Sequence, residues 1–206
     1  MLIEIYRYMQ VIWSGRNCQK NQLIKIWRLA GVYFKLDNHI KRFRRKTNIN
    51  CLKGCGKCCE RVYVETAPLE MIPLAAIILK RAKSGLWIRK LMNVSVEGRC
   101  MFYRKLKDVP GKGRCLIYPL RPLTCRLFGF AAKKNKNGQK QWVTCSLLKM
   151  LAGSNQVEIT VEINKGLSIP VAGSYRWLVH DIGSSAESRL LPLPFALYEA
   201  MAILSR

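Results

Sequence analysis

"CLKGCGKCCE", residues 51–60, places four cysteines within nine positions, and two of them, Cys58 and Cys59, are neighbours in the chain. Adjacent thiols are poorly placed to bridge each other. The chain holds nine cysteines in 206 residues, an odd number that fits a fully paired disulfide framework badly. The start, "MLIEIYRYMQVIW", is apolar but carries Glu4 and Arg7, lacks a basic leader before a long apolar run, and is followed by no small-residue cleavage site. The longest apolar candidate elsewhere, "APLEMIPLAAIIL", is interrupted by Glu70 and falls short of the roughly 20 apolar residues of a membrane span. We therefore expect a cytoplasmic protein with no transmembrane segment. In a reducing compartment, clustered cysteines read as metal-binding or catalytic.

Eight cysteines form one set: Cys51, Cys55, Cys58, Cys59, Cys100, Cys115, Cys125 and Cys145. The ninth, Cys18, reads as a small buried apolar residue. Cys55-x-x-Cys58 is a ligand-pair spacing, and Gly54 and Gly56 let the backbone turn tightly around a centre. Cys59 must point elsewhere than Cys58, so the pair serves two centres or two corners of a larger one. Eight thiolates match two four-coordinate centres by count. Zinc and iron–sulfur clusters both accept four cysteines, and the only histidines, His39 and His180, lie outside the set. The absence of a zinc-ribbon pattern inclines the reading to iron–sulfur, with zinc close behind. Lys53, Lys57, Arg61, Arg99, Arg114 and Arg126 flank the cysteines, and such cations stabilise thiolates without choosing the metal. Taken alone, Cys100 and Cys145 would pass as core residues.

Half the residues are apolar, enough for a real core. Residues 2–13 and 22–36 show helical apolar spacing (Leu23, Ile26, Trp27, Val32 and Tyr33 in the second). Both are expected to pack on the domain as a helical N-terminal arm, 1–46. "KRFRRK", 41–46, reads as an exposed basic linker. The cysteine domain is expected over 47–150. Within it, "RVYVE" (61–65) is a strand candidate, and Thr66 and Pro68 open a helix that Pro73 interrupts and Gly85 stops, near Lys83. A second short helix covers 86–92. "PGKGRC" (110–115) reads as a turn, and "RPLTCRLF" (121–128) as a single helical turn. Asn137-Gly138 predicts a hairpin between "FGFAA" and "QWVTC" that would bring Cys125 and Cys145 together. The remainder, 151–206, is expected to be a strand and a helix. "QVEITVEI" (156–163) alternates as a half-buried strand, and the helix runs from Pro194 to about Leu204. The fold class is α+β: a small irregular domain organised by metal, with a helical arm before it and a strand–helix tail after it.

The ordered series "CLKGCGKCC", "GRC", "GKGRCLIYPLRPLTCRLFGF" and Cys145 resembles the CxxCxxCC (YkgJ-like) cysteine-cluster family, described as zinc- or iron-chelating and including flagellin lysine N-methylases. The family pattern ends a Cys-rich start in adjacent cysteines, continues with Gly-x-Cys-x-x-Tyr-x-x-Arg-Pro-x-x-Cys-Arg, and closes on a late Cys. Gly113, Cys115, Tyr118, Arg121, Pro122, Cys125 and Arg126 match it in order. Three residues rather than two separate Cys51 from Cys55, a departure that singles out Cys51. The resemblance covers about residues 51–145 and implies metal binding. "YPLRP" is compatible with turn chemistry that aims Cys125. Arg121 and Arg126 are also candidates to donate hydrogen bonds to cluster sulfurs or backbone carbonyls around the cofactor.

The formal net charge is +24 and is uneven. Residues 1–50 carry 11 Lys/Arg against 2 acids, residues 51–150 carry 21 against 5, and residues 151–206 carry 4 against 5. Such an excess either is simply solvated or attracts an anionic partner: nucleic acid, acidic lipid or an acidic protein. Three functions follow: a metal-binding cysteine-cluster protein; a lysine N-methyltransferase-like enzyme, by analogy with the flagellin branch; and a nucleic-acid binder with metal-stapled loops, with Phe43 and Trp142 among its lysines and arginines. No Gly-rich nucleotide loop or acid/base pair supports catalysis, and no base-reading module is visible. The metal-binding reading is preferred.

Overall fold

The computed structural model describes residues 20–52, 54–60, 64–80, 84–93, 99–106, 112–153 and 155–205. The expectations for residues 2–13 and Cys18 lie outside them. The long helix α1, Lys20–Thr47, opens the described chain. It buries Ile26, Leu29, Tyr33, Leu36, Ile40 and Phe43, a 3-4-3-4-3 spacing that keeps one stripe against the core. "KRFRRK" is thus the last two turns of this helix rather than a linker. Phe43 is fully buried and continues the stripe, and the charges beside it fan outward. Trp142 is buried too, and its ring meets that of Phe43 at 6.3 Å. Neither aromatic is free to stack on a base.

A two-residue strand β1, Glu65–Thr66, precedes helix α2, Pro68–Lys80, followed by α3, Ser84–Met92. Pro68 opens α2 where its missing N–H costs nothing, and Pro73 is accommodated inside the helix. Gly85, expected to stop α2, lies instead in the first turn of α3. Strands β2, Tyr103–Lys105, and β3, Gly113–Cys115, pair antiparallel, so the end of "PGKGRC" is strand rather than turn. The short helix α4, Leu123–Leu127, follows Pro122 as expected. The Asn137-Gly138 hairpin is present, with β4, Ala131–Lys134, antiparallel to β5, Lys140–Val143, and Gly138 at φ +77°.

Helix α5, Ser146–Ala152, leads to α6, Asn155–Lys165. The strand expected at 156–163 is therefore a helix. Val157, Ile159, Val161 and Ile163 alternate, but Ile159 and Ile163 are also four apart. Only those two turn inward, while Val157 and Val161 are exposed. Asn164 fixes α6 to β5 by exchanging hydrogen bonds with the backbone of Lys140. The chain then forms α7, Ala172–His180, α8, Ser185–Ser188, strand β6, Leu191–Pro192, and α9, Leu193–Ser205. β6 pairs antiparallel with β1, and α9 lies along α2 with Ala196, Leu197, Ala200 and Met201 buried between them. The fold is α+β, and one continuous apolar core runs from α1 through the cysteine region to α9. Among the described residues no helix is long and apolar enough to cross a membrane.

Glu187 ties the tail to α1. It completes a capping box with Ser184 at the start of α8 and also receives Lys25 at 2.6 Å and Gln22 at 2.9 Å. Burial opposes its ionisation, but hydrogen bonds from Lys25, Gln22 and Ser184 hold its carboxyl down to about 2 from the ordinary 4.5. A carboxyl with a depressed folded pKa stabilises above its free value and loses that stabilisation as pH falls through the folded one. Glu187→Ala should therefore cost about 2–3 kcal/mol at neutral pH, with the gap to wild type closing between about pH 5 and pH 2. Urea unfolding of both proteins across that range measures it; a gap that does not change with pH would refute the assignment.

Candidate metal centre

The cysteines reach one place from five segments. Cys58 and Cys59 lie in a single 3₁₀ turn, Lys57–Cys59, entered through Gly56 at φ +63°. The Cys59 N–H donates to the Gly56 carbonyl at 2.8 Å, and the Cys59 carbonyl accepts from the Cys100 N–H at 2.8 Å. The Gly113 N–H donates to the Gly54 carbonyl at 3.0 Å, so β3 is stitched to the same loop. A Cβ on Gly56 would come within 3.0 Å of the Gly113 carbonyl oxygen, and one on Gly113 would sit 2.2 Å from the Tyr103 ring. Two glycines thus let the "CLKGCGKCC" loop and the β2–β3 hairpin close onto each other beneath Tyr103, which brings Cys58, Cys59 and Cys115 together. Cys145 enters from the N-cap of α5, where its Sγ accepts from the Leu148 N–H at 3.4 Å.

Cys125 is placed by a buried polar network that the sequence did not reveal. The Glu70 carboxylate, in the first turn of α2, accepts hydrogen bonds from the Tyr33 hydroxyl, the Thr66 hydroxyl and the N–H groups of Ala67 and Leu123. It joins α1, the β1–α2 junction and the start of α4. Burial and then the adjacent Glu70 charge push the Tyr33 hydroxyl well above its ordinary pKa, so it stays a donor. The Arg126 guanidinium lies 4.3 Å from the centre of the Tyr33 ring and pairs with Asp37 of α1 at 2.8 Å. It also donates to the carbonyls of Pro119 and Arg121 at 2.6 and 2.8 Å. Arg126 therefore faces carbonyls and holds the "YPLRP" bend. Arg121 stacks on Tyr118 at 3.6 Å and donates to the Tyr118 carbonyl, and its charge stabilises the Cys58, Cys115 and Cys125 thiolates. The only sequence-level hint of the Glu70 role was a glutamate in the third position of a helix opened by proline. Asp37 carried no hint, since its partner is 89 residues away.

A cavity of about 1100 Å³ lies against these elements, lined by every member of the set except Cys100. Within it, Cys59 is in hydrogen-bonding contact with Cys58, Cys100 and Cys115. The closeness of these thiols raises the pKa of Cys59 and lowers theirs. Cys58 falls to about 6, helped by Arg121 and against the opposing effect of burial. Cys100 falls to about 7 and Cys115 falls as well, both led by Cys59. Cys125 is pushed up to about 12 by burial. Desolvation and then the neighbouring Cys55, Cys58 and Cys145 raise Cys51 to about 11. His39 is occupied elsewhere, with Ser168 at 2.7 Å and Tyr175 at 3.2 Å.

Residues 50–146 match the sequence profile of CxxCxxCC, described as a putative zinc- or iron-chelating domain. This stretch, a little under half of the chain, is similar to that family. No curated protein and no solved structure shows significant similarity to the chain. The CxxCxxCC donor set fits a metal chemically: soft thiols, cationic neighbours and no competing imidazole. Among the described residues, no three His, Cys, Asp or Glu side chains are yet disposed to hold one ion. Seven of the eight thiols line one cavity.

Replacing the Glu70 carboxylate leaves buried donors unserved. Glu70→Gln should destabilise the fold by roughly 2–4 kcal/mol, because an amide nitrogen replaces one acceptor and faces donors. Chemical denaturation checks this, and an unchanged midpoint would show that the network carries no stability.

Proposed function

We propose that the protein is a cysteine-ligated metal protein in which Cys51, Cys55, Cys58, Cys59, Cys100, Cys115, Cys125 and Cys145 hold two centres. The observation that carries this reading is the single cavity onto which seven of these thiols open. Their mutual contacts suggest the division. Cys100 and Cys115 neighbour both Cys59 and Cys125, and Cys51, Cys55 and Cys145 form the other group. Cys58 touches both neighbourhoods, and assigning it to the second gives four and four. Adjacent cysteines then serve different centres. Iron–sulfur is favoured over zinc, since the spacing lacks the two separated Cys-x-x-Cys pairs of a zinc ribbon. A bound centre would supply either redox capacity or a structural cross-link. Arg121 would offset its negative charge, and Arg126 would hold the loop that presents Cys125. The lysine methyltransferase and nucleic-acid readings gain no support from the fold or the family match.

Anaerobic purification followed by iron, zinc and acid-labile sulfide analysis tests the proposal. We expect a brown protein with iron and sulfide, and loss of metal in Cys59→Ala and Cys58→Ala. Because such sites couple metal to folding, chelation should also unfold the domain. A colourless protein with stoichiometric zinc would overturn the iron–sulfur assignment alone. A metal-free preparation that stays folded would overturn metal binding.

A further inference from the structure

We infer that the end of α1 forms an oxyanion subsite in the thiol cavity, fitted to a phosphate-class ligand. The subsite goes beyond the metal reading: it consists of cations that the thiols do not use. Lys41, Arg44 and Arg45, from the last two turns of α1, line the cavity together with Asn48 and Asn50. A helix C-terminus attracts cations in general, which explains their presence but not how Arg44 is held. Its Nε and Nη2 both donate to the Asn50 Oδ1, at 2.9 and 2.7 Å, and its guanidinium lies 5.7 Å from the centre of the Phe130 ring. Asn50 is itself fixed by donating to the Asn48 carbonyl at 3.1 Å. The guanidinium is positioned by neutral partners, so its charge stays uncompensated and its remaining N–H donors find no partner among the described residues.

The surrounding acids do not quench this charge. Asp37, the one carboxylate among the described residues of the wall, is engaged by Arg126. Among the described residues no ion pair involves Lys41, Arg44 or Arg45, whereas Lys57 on the same wall is paired with Glu60. The thiols have their own cation in Arg121. Uncompensated cations facing a concave space focus a positive field into it, and a guanidinium held in advance loses little freedom on gripping an oxyanion. At about 1100 Å³ the cavity is as large as pockets that hold whole small molecules, typically about 300–1,000 Å³. Its concavity favours a small anion over the flat contact a polymer or membrane would make.

Titration of inorganic phosphate into the full, metal-loaded chain at constant ionic strength, followed by calorimetry, tests the subsite. Binding should saturate, and Arg44→Gln should weaken it by about tenfold. Asn50→Ala should weaken it several-fold although it removes no charge, and Arg45→Gln, on an exposed side chain, repeats the test should Arg44→Gln fail to fold. Lys136→Gln, on the exposed tip of the β4–β5 hairpin, should leave it unchanged. Unsaturable binding, or equal loss in Arg44→Gln and Lys136→Gln, would reduce the cations to general electrostatics and overturn the inference. Metal is measured in every sample: metal without phosphate binding sinks the subsite alone, and phosphate binding without metal sinks the metal reading alone.

Discussion

The Glu70 carboxylate is the fixed point of this structure. An ionised group in an apolar interior is costly unless several donors serve it, and here four donors from three separate segments do so. None of those segments can shift independently without leaving a buried polar group unpaired. Tyr33 carries the constraint into α1, Thr66 and Ala67 carry it to the start of α2, and the Leu123 N–H carries it to α4. Arg126 repeats the pattern one turn along, spanning the Tyr33 ring, Asp37 and two loop carbonyls. The loop bearing Cys125 is therefore held from both sides by charge-assisted hydrogen bonds rather than by apolar packing alone.

This arrangement separates two tasks that the basic residues near the cysteines had seemed to share. Arg126 is structural, because its donors are spent on Asp37 and on carbonyls. Arg121 is electrostatic, because it lies close to Cys58, Cys115 and Cys125 while donating its Nε–H to the loop. The end of α1 does neither. Its cations open on the cavity and take part in no ion pair among the described residues, and the long helix that presents them is anchored by Glu187 at one end and by the Tyr33–Glu70 bond in its middle.

The sequence was most legible where a local rule sufficed. Asn137-Gly138 demands positive φ and announced its hairpin, Pro68 announced the start of α2, and the density of cysteines announced that their segments converge. It was least legible where a pattern satisfied two periods at once or where the partner was remote. Val157, Ile159, Val161 and Ile163 alternate like a strand, yet Ile159 and Ile163 also stand one helical turn apart, and the contact of Asn164 with Lys140 favours the helix. "KRFRRK" looked like a solvated run because charge outweighed the single Phe43, whose burial reveals the helix only when read back to Ile26. Glu70 and Asp37 were silent because their partners lie 53 and 89 residues away in the chain.

The thiol cluster itself shows how little of such a site is local. Gly56 and Gly113 are required by Tyr103, which would strike any Cβ at either position. Tyr103 in turn is positioned by β2–β3 pairing, with its Cα opposite that of Cys115. The backbone thus delivers seven of the eight cysteines to one cavity. A site gathered in this way should lose metal more readily when a backbone clasp such as Gly113 is disturbed than when the exposed Cys51 is removed, because the clasp sets several thiols at once.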